Sequence, residues 1–303
     1  MKKMVWMSLL VLSVAAFAQN EAPAVQDHQS AAGVAERQMQ PTYSDIYCAG
    51  FVSKENIPTT NHVVAGYRTP WETKFAGKGD IVYITGSGLA VGNRYSVIRK
   101  MVDPNREEMF KGEMRLLHQS GEEYADLGQV EIIQVEKEVA AAKIDHSCTA
   151  MTPGDILVPF QERPRVQYQP RTEEFPLFAP YSGTGGRIIG AKEFDRLLGI
   201  GQKVYVNIGS SKGVKPGDYL RITRNYDPAE MSTIDALTLK PPKYEETAKD
   251  PAKVTDSDLK KLPYRGVGEM IVLSVTPETA TGMITLALED VQVGDVVEVP
   301  TKR

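Results

Sequence analysis

Among the glycine–aspartate pairs of this chain, three are the residues best placed to do chemistry: Gly154-Asp155, Gly217-Asp218 and Gly294-Asp295. A carboxylate at a turn can serve catalysis or hold calcium, but recurrence in one context favours a mechanical task. In Met151-Thr152-Pro153-Gly154-Asp155-Ile156-Leu157 and Val214-Lys215-Pro216-Gly217-Asp218-Tyr219-Leu220, proline presets one turn position and glycine supplies a positive φ. The aspartate bonds neighbouring amides, and an apolar strand follows. A second string, Tyr67-Arg68-Thr69-Pro70-Trp71, gathers the residue types common at recognition sites. Tyr67, Arg68 and Trp71 therefore read either as a recognition patch or as a packed corner in which Arg68 stacks on Trp71. Cys48 and Cys148 are the two cysteines. They read either as a disulfide closing a long loop or as two unpaired thiols, Cys148 being buried on a strand.

The other candidates fall away on spacing. Thr85-Gly86-Ser87-Gly88-Leu89-Ala90-Val91-Gly92 is one residue too long for a dinucleotide loop and leads into Arg94-Tyr95-Ser96-Val97-Ile98-Arg99, which reads as strand rather than helix. Ser182-Gly183-Thr184-Gly185-Gly186 lacks the lysine of a phosphate loop. His28, His62, His118 and His146 have no paired spacing for zinc. Asp145-His146-Ser147 are strand neighbours, so adjacent side chains point to opposite faces and form no relay. No nucleophile elbow or cysteine–histidine signature is present, and the expectation is a chain without catalytic residues, cofactor or metal.

The elements that position these residues begin with an expected signal peptide, residues 1–18. Lys2 and Lys3 precede the apolar run Val5–Phe17, and Ala16-Phe17-Ala18 offers a cleavage site. The run is shorter than the ~20 residues that cross a bilayer, and no later span follows. Residues 19–41, rich in Ala, Gln, Glu and Pro, read as a disordered leader. A first β module covers 42–160, a proline-rich linker 161–182, and a second β module 183–303 with a loop insertion at about 238–263. The net charge of −4 and pI near 5.7 give no reason to expect a nucleic-acid partner.

The modules repeat one another. Setting Gly128 on Gly268 places Val130 on Met270, Ile132 on Val272, Val135 on Val275, Ala140 on Ala280, Ile144 on Ile284 and Gly154-Asp155 on Gly294-Asp295 without a gap. A second stretch sets Gly92 on Gly217, Val97 on Ile222 and Arg99 on Arg224. Short alternating runs predict strands at 81–85, 94–99, 128–135, 140–145, 155–160, 203–208, 219–224, 268–275, 281–288 and 295–299. Helical spacing occurs at Ala191–Leu198, with a short turn around Thr255–Lys260. The fold class is therefore mainly β: two diverged copies of a small barrel or sandwich module joined by the linker.

Tyr67-Arg68-Thr69-Pro70-Trp71, Ile81–Ile84, Gly92–Arg99, Leu127–Val130 and Pro153–Pro159 together resemble the region that follows the LysM module in bacterial envelope proteins. Gly186–Gly190, Gly213–Asp218 and Val293–Val297 are similar to it in the second module. A LysM module itself is not visible in residues 19–66, so the wall-binding role of that family does not carry over. The Gly-Val-x-x-Gly-Asp signature also resembles the C-terminal domain of a periplasmic flagellar-ring protein. Export, repeated strand modules and the lack of a catalytic constellation lead to the expectation of a non-enzymatic protein of the bacterial periplasm or outer envelope, with an envelope protein or peptidoglycan as partner, and the flagellar-ring likeness implies an assembly role. The competing readings are a wall-active enzyme with a site formed between the modules, and a small-ligand carrier.

Overall fold

The computed structural model describes residues 40–300 except 69–73, 76, 105–106, 179–184, 230, 234 and 236–254. The expected signal peptide, nearly all of the leader, Trp71 and most of the expected insertion lie outside the described residues. A short helix α1 (Tyr43–Tyr47) and strands β1 (Phe51–Ser53), β2 (His62–Gly66), β3 (Ile81–Thr85) and β4 (Arg94–Lys100) come first. Helix α2 (Glu113–Ser120), β5 (Glu122–Glu136), β6 (Val139–Ser147) and β7 (Ile156–Pro159) complete the first block. The second block holds β8 (Gly185–Ala191), β9 (Leu197–Leu198), β10 (Lys203–Val206), β11 (Tyr219–Arg224), α3 (Asp256–Leu259), β12 (Arg265–Val275), β13 (Ala280–Ala287), β14 (Val291–Gln292) and β15 (Val296–Glu298). No described helix is long and apolar enough to cross a membrane.

Strands β5-β4-β7-β2-β3-β6 pair in that order and β6 returns to β5, closing a six-stranded barrel with β1 attached outside β5. Strands β10-β13-β12-β11-β15-β8 close a second. The two match in register as well as in order. Val97 faces Gly128 as Ile222 faces Gly268, and both ladders slip at the next residue. Val130 faces Ile144 as Met270 faces Ile284, with matching slips at Ile132/Gln134 and Val272/Ser274. Bulges of this kind re-aim strands, and their coincidence marks two copies of one module.

Alternation fills each barrel. Val82, Ile84, Val97, Leu127, Val130, Ile132 and Ile144 point into the first, and Val204, Val206, Leu220, Ile222, Met270, Val272 and Ile284 into the second. Six strands leave an interior that side chains fill completely. The second barrel also takes Met109 and Phe110 from the chain between β4 and β5 into its core.

Other first-block residues cover the outer wall of the second barrel. Ile46 and Ala49 pack on Tyr219, Ile271, Leu273 and Met283, while Val52 packs on Ile189 and Tyr205. The linker is extended, as proline demands, yet it is tied down at both ends. Arg163 forks onto Asp126 at 2.8 Å on both nitrogens, Val166 is buried, the Gln169 amide donates to the Tyr219 hydroxyl (2.7 Å), and Arg171 pairs with Glu269. Together with the wedge of residues 45–53, these contacts join the two barrels.

One expectation is corrected. Ala191–Leu198 is not a helix: β8 ends at Ala191, a single 3₁₀ turn follows at Lys192–Phe194 with positive φ at Glu193 and Phe194, and β9 pairs with β14. The helical spacing of its apolar residues arises because Ala191 and Leu198 enter the barrel core from two separate strands.

The Arg224–Asp295 pair is more enclosed than its counterpart: the Arg224 side chain is 8% exposed against 35% for Arg99. Removing one partner of a buried pair strands the other charge. We expect Arg224→Ala to cost about 3–5 kcal/mol in urea unfolding and Arg99→Ala clearly less; equal losses would show that burial is not what separates the two.

Candidate binding surface

Each Gly-Asp pair closes a turn. Gly154 and Gly294 have φ of +93° and +105°, a conformation that strains side-chain-bearing residues. The Asp155 carboxylate accepts from the Thr152 amide (2.5 Å) and that of Asp295 from the Gln292 amide (2.8 Å); Asp218 accepts from the Lys215 amide (3.0 Å). Asp155 and Asp295 also take a fork from Arg99 and Arg224, with Nε–Oδ1 distances of 2.7 and 2.6 Å. Their oxygens are committed to the fold.

Cys48 and Cys148 are disulfide-bonded with Cα atoms 5.4 Å apart, fastening the end of α1 to the loop after β6. His146 Nε2 lies 3.3 Å from Cys48 Sγ, and its ring is held below the usual histidine range by burial and by Lys78. The two sulfurs and this nitrogen lie within 4.8 Å of one another, but the sulfurs are spent on each other. His62 begins β2 and His118 lies on α2.

Tyr67 and Arg68 are exposed at the end of β2, Tyr67 by 56%. The stacking of Arg68 on Trp71 falls outside the described residues. The Tyr67 ring instead stands 6.2 Å from that of Tyr83. Because alternation turns Val82 and Ile84 inward, it turns Ile81 and Tyr83 outward. With Ile133, Val139 and Ala141 they floor an open trough of about 730 Å³ on the outer wall of the first barrel. Glu136, Lys137 and Glu138 line its rim at the β5–β6 turn. Apart from Gln134, which faces Ala141, the floor is apolar, and the rim carries both signs of charge, which suits binding by area rather than bond chemistry. Of this surface, sequence reasoning singled out only Tyr67. The remaining signal was apolar residues at both parities of 81–84, where a one-faced strand would alternate.

A second cavity of about 660 Å³ opens between α2, the start of β5 and residues 189–196, bringing Asp103, Glu113, Glu123 and Arg196 together. Arg196 pairs with Asp103 at 3.8 Å, and the Glu113 carboxylate accepts from the Met109 amide. Burial pushes the Glu113 carboxyl up, with the Met109 amide and Arg196 working against it. Glu123 is pushed up to about 8 by burial and by Asp103, with the neighbouring Tyr205 hydroxyl working against them.

A carboxyl raised in the folded state binds its proton more tightly there than when unfolded. Its stabilisation is therefore complete below the ordinary carboxylate range and is lost as pH rises through about 8. Across that window we expect Glu123 to lower stability by up to about 1.4 kcal/mol per pH unit. Urea unfolding of the wild type and Glu123→Gln at pH 5, 6.5 and 8 reads this directly; parallel slopes would mean that Glu123 ionises freely in the fold. In comparisons with known proteins, no protein-family model and no curated protein matches this chain.

Proposed function

We propose that this chain is a non-enzymatic protein of the bacterial periplasm or outer envelope that binds an envelope protein through the outer wall of its first barrel. The observation that carries the reading is the trough itself: exposed Tyr67, Ile133 and Val139 share one face with Ile81 and Tyr83 on a rigid barrel. Contiguous apolar surface on a folded protein marks an interaction site. The Cys48–Cys148 disulfide supports an oxidising compartment. The resemblance to LysM-associated envelope regions and to a flagellar-ring domain points the same way.

One observation favours a second reading, a wall-active enzyme working between the modules. Glu123 holds its proton to about pH 8 in the second cavity, as a general acid must. Turnover of purified sacculi abolished by Glu123→Gln would install that reading.

The test of the first is a photo-crosslinking residue at position 83 in intact cells. Adducts to an envelope protein that disappear in the Ile133→Lys background are expected, and recovery of the chain as a free monomer outside the envelope fraction would sink the proposal.

A further inference from the structure

The matched registers let the two outer walls be compared position by position. Tyr83 faces Ala65 and Ala141 as Tyr205 faces Gly190 and Thr281, so the two tyrosines are equivalent. By the same ladders Ile133 corresponds to Leu273 and Val139 to Thr279. The walls differ in exposure: on the second barrel Tyr205, Leu273 and Thr279 are at most 1% exposed, whereas Ile133 and Val139 are both 42% exposed.

The cover on the second barrel is a single extended run of chain. The Tyr205 hydroxyl donates to the Ala49 carbonyl (3.1 Å), Thr281 to that of Gly50 (3.0 Å) and Thr279 to that of Val52 (2.5 Å). Side-chain hydroxyls on the wall thus hold the main chain of an extended peptide, while Ala49 and Val52 lay their apolar groups on it. The first barrel keeps the tyrosine hydroxyl and replaces both threonines by Ala141 and Val139. At these two positions the first wall is more apolar than the second, whereas the positions of Tyr219, Ile271 and Met283 beside them are taken by Arg94, Glu131 and Lys143, which give that end of the seat a polar margin.

We propose that the trough on the first barrel is a seat for an extended peptide segment of a partner protein, about four to six residues long, laid down as residues 49–52 are laid on the second barrel. Its contact face carries apolar side chains at alternate positions, opposite Ile133 and Val139, and one of its carbonyls accepts from Tyr83. This deepens the envelope-binding reading and rests on it for the identity of the partner, though not for the chemistry of the seat.

The probe is a displayed library of random dodecapeptides, selected against the full mature chain. Peptides with apolar residues at alternate positions should be enriched, and their affinity should fall at least tenfold with Ile133→Lys or Val139→Lys and several-fold with Tyr83→Phe. Unchanged thermal unfolding of the three variants secures the comparison. Failure of the library to enrich, or binding indifferent to all three substitutions, overturns the proposal. So does dimerisation abolished by Ile133→Lys, which makes the occupant a second copy, or peptide binding that appears only after residues 19–39 are removed, which makes it the chain's own leader. Failed selection with crosslinks at position 83 intact would overturn the peptide seat alone. Selected peptides with no envelope association would overturn the envelope reading alone.

Discussion

Each barrel closes through one aspartate. Asp155 stands at the start of β7, the strand that must pair with β4 on one side and β2 on the other for the sheet to meet itself. Its carboxylate takes the Arg99 fork from β4, and its carbonyl accepts from the Val63 amide on β2 (2.9 Å). Asp295 does the same in the second barrel with Arg224 from β11 and the Ile188 amide from β8 (2.9 Å). Each arginine also reaches a carbonyl in the preceding loop, Ala150 at 3.1 Å and Asp290 at 2.7 Å. One residue thus satisfies a turn amide, an ion pair and two flanking strands. A charge this buried is tolerable only when paired and fully hydrogen-bonded.

Closure leaves each barrel with a full interior and an outer wall that still carries apolar side chains. A small closed barrel has no room for more residues inside, so extra apolar surface must be covered from outside. The first block supplies that cover to the second: α1 and β1 rest on it. Cys48–Cys148 then fastens the covering segment to the first barrel, and Lys203–Asp45 fastens it to the second at 2.5 Å. The two barrels are joined by shared parts more than by apposed walls.

How much of this the residues announce depends on range. The Pro-Gly-Asp turns and the strand runs are local, and the strands at 81–85 and 219–224 appear where a short apolar run and period 2 respectively place them. The repeat was legible because matching bulges keep the two copies in step without gaps. Short elements that draw their stability from a partner were not. β1 is three residues long, β2 carries a bulge and an exposed Val64, and α2 is eight residues long and fully buries only Glu113 and Ser120. Arg99 and Arg224 stood out as matched residues, but their partners lie 56 and 71 positions away. Ala191–Leu198 misled because two strand ends reproduced helical spacing across a 3₁₀ turn. The trough was missed for a related reason: its residues come from four strands, and only closure assembles them.

At the two threonine positions the divergence of the copies has a physical reading. Burying a wall position against a segment of the same chain allows polar groups there, since Thr279, Thr281 and Tyr205 all find fixed carbonyl acceptors. A wall without a resident segment has no such acceptors, and there the two threonine positions are Val and Ala. Apolar residues stand open to water on a strand face only under a load other than folding, because their exposure adds nothing to stability and invites aggregation. The rim charges Glu136, Lys137 and Glu138 oppose that hazard beside the apolar floor, at the β5–β6 turn. The first barrel thus leaves apolar side chains in the open at positions whose counterparts in the second barrel are covered by its own chain.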